Sequence, residues 1–279
     1  MIKAIEFPNK TFATKEDLFR ELKANEKRII ELKKAQIYKS CEKGQISFLN
    51  FNKSLGDATK SIVGAKEGYI YPIISTTKYF DSHGDVHFDG CFTKTSKDQQ
   101  GNICYALDHE VKFSTVIAWK ENVKMFVQNI DWSLVGKNYP GQTQALIFEI
   151  KKDDIRLKDV LSEIETRVVG FENSIKMSYI ILKLGVNSND KDFIENKAYY
   201  DSKIWTIANS DKVAETGYFW GVEELKIVQE GSLVSAGGSN DATSIYQKHT
   251  EPSDDTHKEE PVITTQKTID YNYLSNNLK

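Results

Sequence analysis

Between residues 14 and 37, Leu18, Leu22, Ile29 and Leu32 recur at near-helical spacing, while Lys and Glu fill most of the intervening positions. The pattern predicts one long, charged helix with a thin apolar stripe. Thr14 stands where an N-cap belongs, and Glu16 and Asp17 follow where they suit the helix dipole. Such a stripe reads as a docking or coiled-coil surface rather than as a core helix. Residues 38–66 are mixed, broken by Gly44, Gly56 and Gly64, and read as a connector. From 67 to about 150 the period shortens. The runs 69–74, 103–107, 115–119, 123–127 and 145–150 are rich in β-branched and aromatic residues, and Asp, Asn and Gly clusters separate them, so they read as strands. Leu157, Leu161, Ile164 and Val168 then restore a helical face over 154–169, with Asp153 or Asp154 as cap and Gly170 as stop.

A strand is predicted over 174–182. Ile175, Met177, Tyr179 and Ile181 share one face, and Ser174, Lys176 and Ser178 start on the other. Residues 186–212 are polar and read as a long loop or a small helical excursion, and a last strand is expected over 225–234. Beyond Val234 the apolar content collapses. Residues from about 247 to 279 bury too little to offset chain entropy and are expected to be disordered. The expected organisation is an N-terminal helical extension over 1–66, a domain over 67–246 and a tail over 247–279.

Composition narrows the function classes. Basic and acidic residues nearly balance, 37 against 40, for a net charge of −3. That argues against a partner held by bulk attraction to nucleic acid. Three Cys, at 41, 91 and 104, lack the paired spacing of a disulfide framework or zinc site. No apolar signal core opens the chain, and no apolar run reaches the roughly 20 residues of a membrane span. The expectation is a soluble protein of a reducing cytoplasm, with no membrane partner. Trp119, Trp132, Trp205 and Trp220 read as core or rim packing, since no basic patch interleaves them.

Chemistry-bearing residues are few. Of five His, His249 and His257 lie in the expected tail, and His83 and His87 lie in a row with Asp81, Asp85 and Asp89. That period-two row would face one way on a strand, like a metal site, but Gly84 and the Asp and Ser content favour a turn. His109 follows an apolar strand, where a side chain can project from a rigid mount. Ser174 opens a strand, a suitable mount for a hydroxyl nucleophile, although spacing alone does not single it out. Cys104 with His109 would be a thiol alternative, but Cys104 falls inside an apolar run, where a buried inert thiol is usual.

Four segments, in order, resemble the prohead (capsid maturation) serine proteases of tailed bacteriophages, relatives of the herpesvirus assemblins. Ser75–Phe92 (STTKYFDSHGDVHFDGCF) resembles the opening block, and Tyr105–Glu110 (YALDHE) the strand that delivers the catalytic His. Glu172–Tyr179 (ENSIKMSY) resembles the nucleophile strand, and Val228–Val234 (VQEGSLV) a closing strand of the form Glu-x-Ser-x-Val. The match covers roughly 67–245. Lys176 stands where Gly is usual, and the turn after Val234 lacks the usual Pro-Ala-Asn.

The resemblance implies an α+β fold with a closed β-barrel ringed by helices, herpesvirus-protease-like. It implies acyl transfer by Ser174 with His109 as base and an acid as third member. Glu230 is the choice for that acid, with Asp85 the other contender; Asp108 and Glu110 adjoin His109 but would face elsewhere in an extended segment. Oxyanion donors would be backbone N–H groups, for which the Gly237-Gly238 stretch is the candidate. The family accounts for the Asp and Gly of the opening block without a metal, and no cofactor is implied. The expected substrates are scaffold protein, major capsid protein extensions and the protease itself. The setting would be the procapsid in the host cytoplasm, with a homodimer as a possible assembly and the tail as a cleavage or docking segment. The other class open to the same residues is a non-catalytic head-assembly or scaffold protein on the same fold, motivated by Lys176 and the altered final turn.

Overall fold

The Thr14 hydroxyl accepts from Asp17 N, and the Asp17 carboxylate accepts from Thr14 N, which closes a capping box and starts α1 (Lys15–Ala24). The helical stretch is interrupted at Asn25, whose side chain donates to the Glu21 carbonyl (2.9 Å), and resumes as α2 (Glu26–Ala35). The single long helix is thus two. Its stripe is not a docking surface either. Leu18, Phe19, Leu22 and Ile29 are buried in the main core with residues of the central sheet, although Leu32 is exposed. A thin stripe suffices because polar groups on the same helices are buried with partners, as described below.

The computed structural model describes residues 1–35, 61–166, 171–235 and 238–248; Met1–Lys248 form one compact unit, and the N-terminal helices belong to it. The expected connector falls mostly outside the described residues, as do the tail from 249 onward and Gly170. The remaining elements are β1 (Tyr69–Thr76), β2 (Asp85–His87), α3 (Thr93–Asp98), β3 (Cys104–Leu107), β4 (Val116–Ala118), β5 (Lys124–Asp131), β6 (Gln142–Lys151), α4 (Lys158–Thr166), β7 (Glu172–Val186), α5 (Ile194–Lys203), α6 (Ser210–Thr216), β8 (Tyr218–Val234) and β9 (Ser244–Tyr246). No described helix is long and apolar enough to cross a membrane.

The fold is α+β with two sheets. One is antiparallel, ordered β5-β6-β1-β9. The other is built around the 17-residue β8, with β7 antiparallel along one side. On its other side β2 lies parallel at Trp220–Val222 and β3 lies parallel at Glu230–Leu233; β4 pairs with β3. The expected closed barrel is not present among the described residues. Where β7 passes β1 and β9, a side chain makes the joint instead of a ladder. Asn173, fully buried, donates through Nδ2 to the carbonyls of Ile73 (3.3 Å) and Ser244 (2.8 Å) and accepts from Tyr105 OH (2.7 Å).

Three further features of the fold are local. Register shifts on either side of Ile181 break the alternation of β7, so Ile181 is exposed and Leu182 is buried. The polar 186–212 segment makes the helical excursion that was one of its two readings, with α5 and the start of α6. β9 and the buried Asn240, Ala242 and Thr243 lie beyond Val234, at the low-hydrophobicity end of the expected 67–246 domain. These are small polar residues buried through hydrogen bonds, as where Asn240 Nδ2 donates to the Thr76 carbonyl (3.0 Å), rather than through apolar mass. Trp132 and Trp220 are core residues, whereas Trp205 is exposed.

A buried polar cluster joins the N-terminal segment to the central sheet. The Lys33 ammonium donates to Asp85 Oδ1 (2.7 Å) and lies 3.9 Å from Glu6 Oε1. Tyr179 OH donates to Asp85 Oδ2, and Tyr218 OH and Trp220 Nε1 donate to Glu6, each at 2.7 Å. Removing one member of a buried ion pair leaves the desolvation of the other uncompensated. We expect Lys33→Ala to destabilise the protein by about 3 kcal/mol. Lys10→Ala, at the exposed pair with Glu21, should cost under about 1 kcal/mol. Urea denaturation of both variants checks the contrast, and equal losses would refute it.

Candidate active site

The site forms where β7, β8 and β3 run side by side. Ser174 on β7 and Ala106 on β3 each pair with Ser232 on β8, and Cys104 pairs with Glu230. Paired residues, and residues two apart, share a face of a sheet. Ser174, Ser232, Glu230 and Cys104 therefore project from one face. Ile175, Gly231 and Tyr105 pair on the other, core face. Gly231 is required there, because a Cβ would lie 2.8 Å from the Phe148 ring.

The His109 mount is a tight turn rather than an extended end. Asp108 and His109 have φ values of 46° and 61°, and Glu110 N donates to the Leu107 carbonyl (2.9 Å), the pattern of a type I′ turn. Two consecutive non-glycine residues with positive φ store strain on the order of 1–3 kcal/mol each. Four contacts hold them there. Asp108 N donates to the Leu233 carbonyl (2.9 Å), and His109 N donates to Ser232 Oγ (3.1 Å). Ser235 N donates to Asp108 Oδ1 (3.1 Å), and the Lys176 ammonium donates to the His109 carbonyl (2.6 Å).

This turn brings the imidazole onto the Glu230 carboxylate. His109 Nδ1 lies 2.9 Å from Glu230 Oε1, and Ser232 Oγ donates to Glu230 Oε2 at 2.5 Å. The Glu230 side chain is fully buried and that of His109 is 10% exposed. A carboxylate on Nδ1 fixes the tautomer with Nε2 as the basic nitrogen. Nε2 is buried and carries no hydrogen bond. The Ser174 hydroxyl is thus on the same face as the pair, but the hydroxyl–imidazole bond is not formed in this structure.

Ser174 itself is 5% exposed and lines a small cavity with Ser75, His87, Asn173, Ser239 and Asn240. The segment at 238–240 closes over it. A Cβ on Gly238 would come within 3.1 Å of Ser174 Oγ and 3.0 Å of the Asn173 carbonyl, so a larger residue would be tightly packed there and its neighbours would have to give by a few tenths of an ångström. Gly237 lies outside the described residues.

The other candidates are engaged elsewhere. Asp85 belongs to the Lys33 cluster and does not reach His109. Asp108 accepts from Ser235, and Glu110 pairs with Lys112 (3.0 Å). The Asp81–Asp89 row does not stay on one face: Asp81 accepts from His83 N and Asp85 N, and Asp89 pairs with Lys78. Among the described residues no three His, Cys, Asp or Glu side chains group as metal ligands. Sequence reasoning passed over Ser232 and gave Lys176 no role. The signal for Ser232 was its position two residues after Glu230 on a strand, which places both on one face.

Compared with known protein families, with curated proteins and with solved structures, the chain matches none of them. The chemistry of the site therefore rests on its own geometry.

Cys104 sits beside this pair, and burial together with the Glu230 charge pushes its thiol up to about 11, with Lys176 pulling the other way. The thiolate is the reactive form, so the thiol is inert near neutrality. At pH 8 only about one thousandth of Cys104 is ionised, against about a quarter of a free thiol. Its alkylation by iodoacetamide, followed by peptide mass spectrometry, should rise about tenfold per pH unit until near 11. Rapid labelling of Cys104 at pH 7 in folded protein would contradict this.

Proposed function

We propose that the protein is a serine endopeptidase of phage head maturation, with Ser174 as nucleophile, His109 as general base and acid, and Glu230 as the residue that orients the imidazole. The observation that carries the reading is the His109–Glu230 pair, buried, with Nε2 left for a substrate-side partner on the face that bears Ser174. In the proposed cycle Ser174 Oγ attacks the scissile carbonyl as its proton passes to His109 Nε2. Glu230 stabilises the imidazolium through Nδ1–H. The proton then goes to the departing amine, and water, deprotonated by His109, releases the acyl group. A movement that brings Ser174 and His109 into contact precedes attack.

The order of the four sequence blocks supports the same reading, including a fold related to the herpesvirus proteases. It extends the proposal to substrates: the scaffold, capsid-protein extensions and the chain itself, within a procapsid in the host cytoplasm, with a homodimer as the assembly. The unformed hydroxyl–imidazole bond favours the second reading, an assembly protein that keeps the architecture without the activity.

A fluorophosphonate probe separates the two. We expect a covalent adduct on Ser174 in assembled wild-type protein, none in Ser174→Ala, and a loss of head-protein processing by a factor on the order of 10⁴ in that variant. Circular dichroism should show its fold unchanged. Processing at the wild-type rate by Ser174→Ala would exclude this nucleophile; absence of labelling and of self-cleavage in every assembly state would leave the assembly role.

A further inference from the structure

Ser75, near the end of β1, is 1% exposed, and its Oγ is buried without a hydrogen bond. A buried hydroxyl without a partner costs stability, and Ala in its place would not. The register explains where the hydroxyl goes. Ile73 pairs with Ile147 but Ser75 pairs with Leu146, so β1 carries one extra residue between them. A bulge of this kind re-aims the side chain that follows it. Here Ser75 lines the same cavity as Ser174.

Other polar walls of the cavity are committed. Asn173 is held by the Ile73 and Ser244 carbonyls and by Tyr105 OH. Asn240 donates to the Thr76 carbonyl (3.0 Å) and accepts from Ala242 N (2.9 Å), and the His87 ring packs against Phe92 and Tyr179. The space they leave takes about one water-sized group, which is also the size of a carbonyl oxygen. Its position relative to the His109–Glu230 pair matters as well. β8 borders one edge of β7, and the turn bearing His109 lies beyond it, after β3. At the other edge Asn173 N donates to Thr243 Oγ1 (2.9 Å) and Asn173 Nδ2 reaches β1. The imidazole and the Ser75 hydroxyl therefore flank Ser174 from opposite edges of its strand. Acyl transfer needs such a division, with a base on one side of the nucleophile and a donor for the developing oxyanion on another.

We infer that Ser75 is a further catalytic residue of the proposed reaction, an oxyanion donor, and that the cavity is the seat of the oxyanion. As Ser174 Oγ bonds to the scissile carbonyl carbon, the Ser174 proton passes to His109 Nε2 and the π pair of the carbonyl moves onto its oxygen. That oxygen enters the cavity and accepts from Ser75 Oγ. On collapse the pair returns to re-form the carbonyl, the C–N bond breaks, and the amine takes the proton from His109. A hydrogen bond made only as charge develops speeds the chemical step rather than substrate binding. The inference deepens the peptidase reading and rests on it.

The test compares Ser75→Ala with the wild type, each as the full chain in its assembled state, by the rates of fluorophosphonate labelling of Ser174 and of head-protein processing, and by thermal melting. Both rates should fall by a factor on the order of 10². The melting temperature should stay or rise, because the variant loses an unpaired buried hydroxyl; a residue of purely structural worth would lower it. In a crystal structure of the wild-type adduct, the phosphonyl oxygen should lie about 3 Å from Ser75 Oγ. Wild-type rates in folded Ser75→Ala, or a phosphonyl oxygen directed away from the cavity, overturn the inference and leave the peptidase reading intact. If Ser75→Ala does not fold, Ser75→Cys, which keeps the shape with a much weaker donor, is read by the same rates. Absence of labelling in wild-type protein in every assembly state removes the peptidase reading and this inference with it.

Discussion

A fully buried carboxylate, that of Glu230, is the constraint around which the site is arranged. A buried charge is tolerated only where it is paired and hydrogen-bonded. Here one oxygen meets His109 Nδ1, the other takes the Ser232 hydroxyl, and the Lys176 ammonium lies 3.9 Å away. These partners come from a turn after β3, from β8 itself and from β7. Satisfying Glu230 therefore binds three strands into one geometry, and the strained turn at Asp108 and His109 is held by the same contacts.

A second buried polar cluster, of Lys33, Asp85, Glu6, Tyr179, Tyr218 and Trp220, does comparable work at the other end of β7 and β8. It explains why the N-terminal helices, with a thin apolar stripe, lie in the core rather than on a partner. It also gives Asp85 a structural role that separates it from the His109 site. The two clusters share β7, which passes from Ser174 at one end to Tyr179 further along. The strand that presents the candidate nucleophile is thus clamped by the packing of the N-terminal segment.

The proposed acyl transfer would draw on the tautomer control, the buried carboxylate and the closely covered serine. The hydroxyl–imidazole bond is not formed in this structure. The cavity beside Ser174 is covered by the segment at Gly238. Interiors are close-packed, so the movement that the proposed attack requires would be a discrete rearrangement rather than a gradual one.

Much of this was legible along the chain. The Thr14 cap, the strands at β1, β3 and β6 and the candidacy of His109, Ser174 and Glu230 follow from local pattern, from cap chemistry and from resemblance to a protease family. These are properties of neighbours a few residues apart. What depended on tertiary structure was everything set by long-range pairing. Register placed Ser174 opposite Ser232, a bulge at Gln229 made room for Lys176, and a turn with positive φ, rather than an extended end, swung His109 onto Glu230. Likewise, among the described residues two sheets bridged by Asn173 stand where a closed barrel was expected, and β9 formed from residues too polar to announce a core. Alternation and composition report which side chains prefer to leave water. They carry no information on which distant strand supplies the partner of a buried charge, and that pairing decides what the site can do.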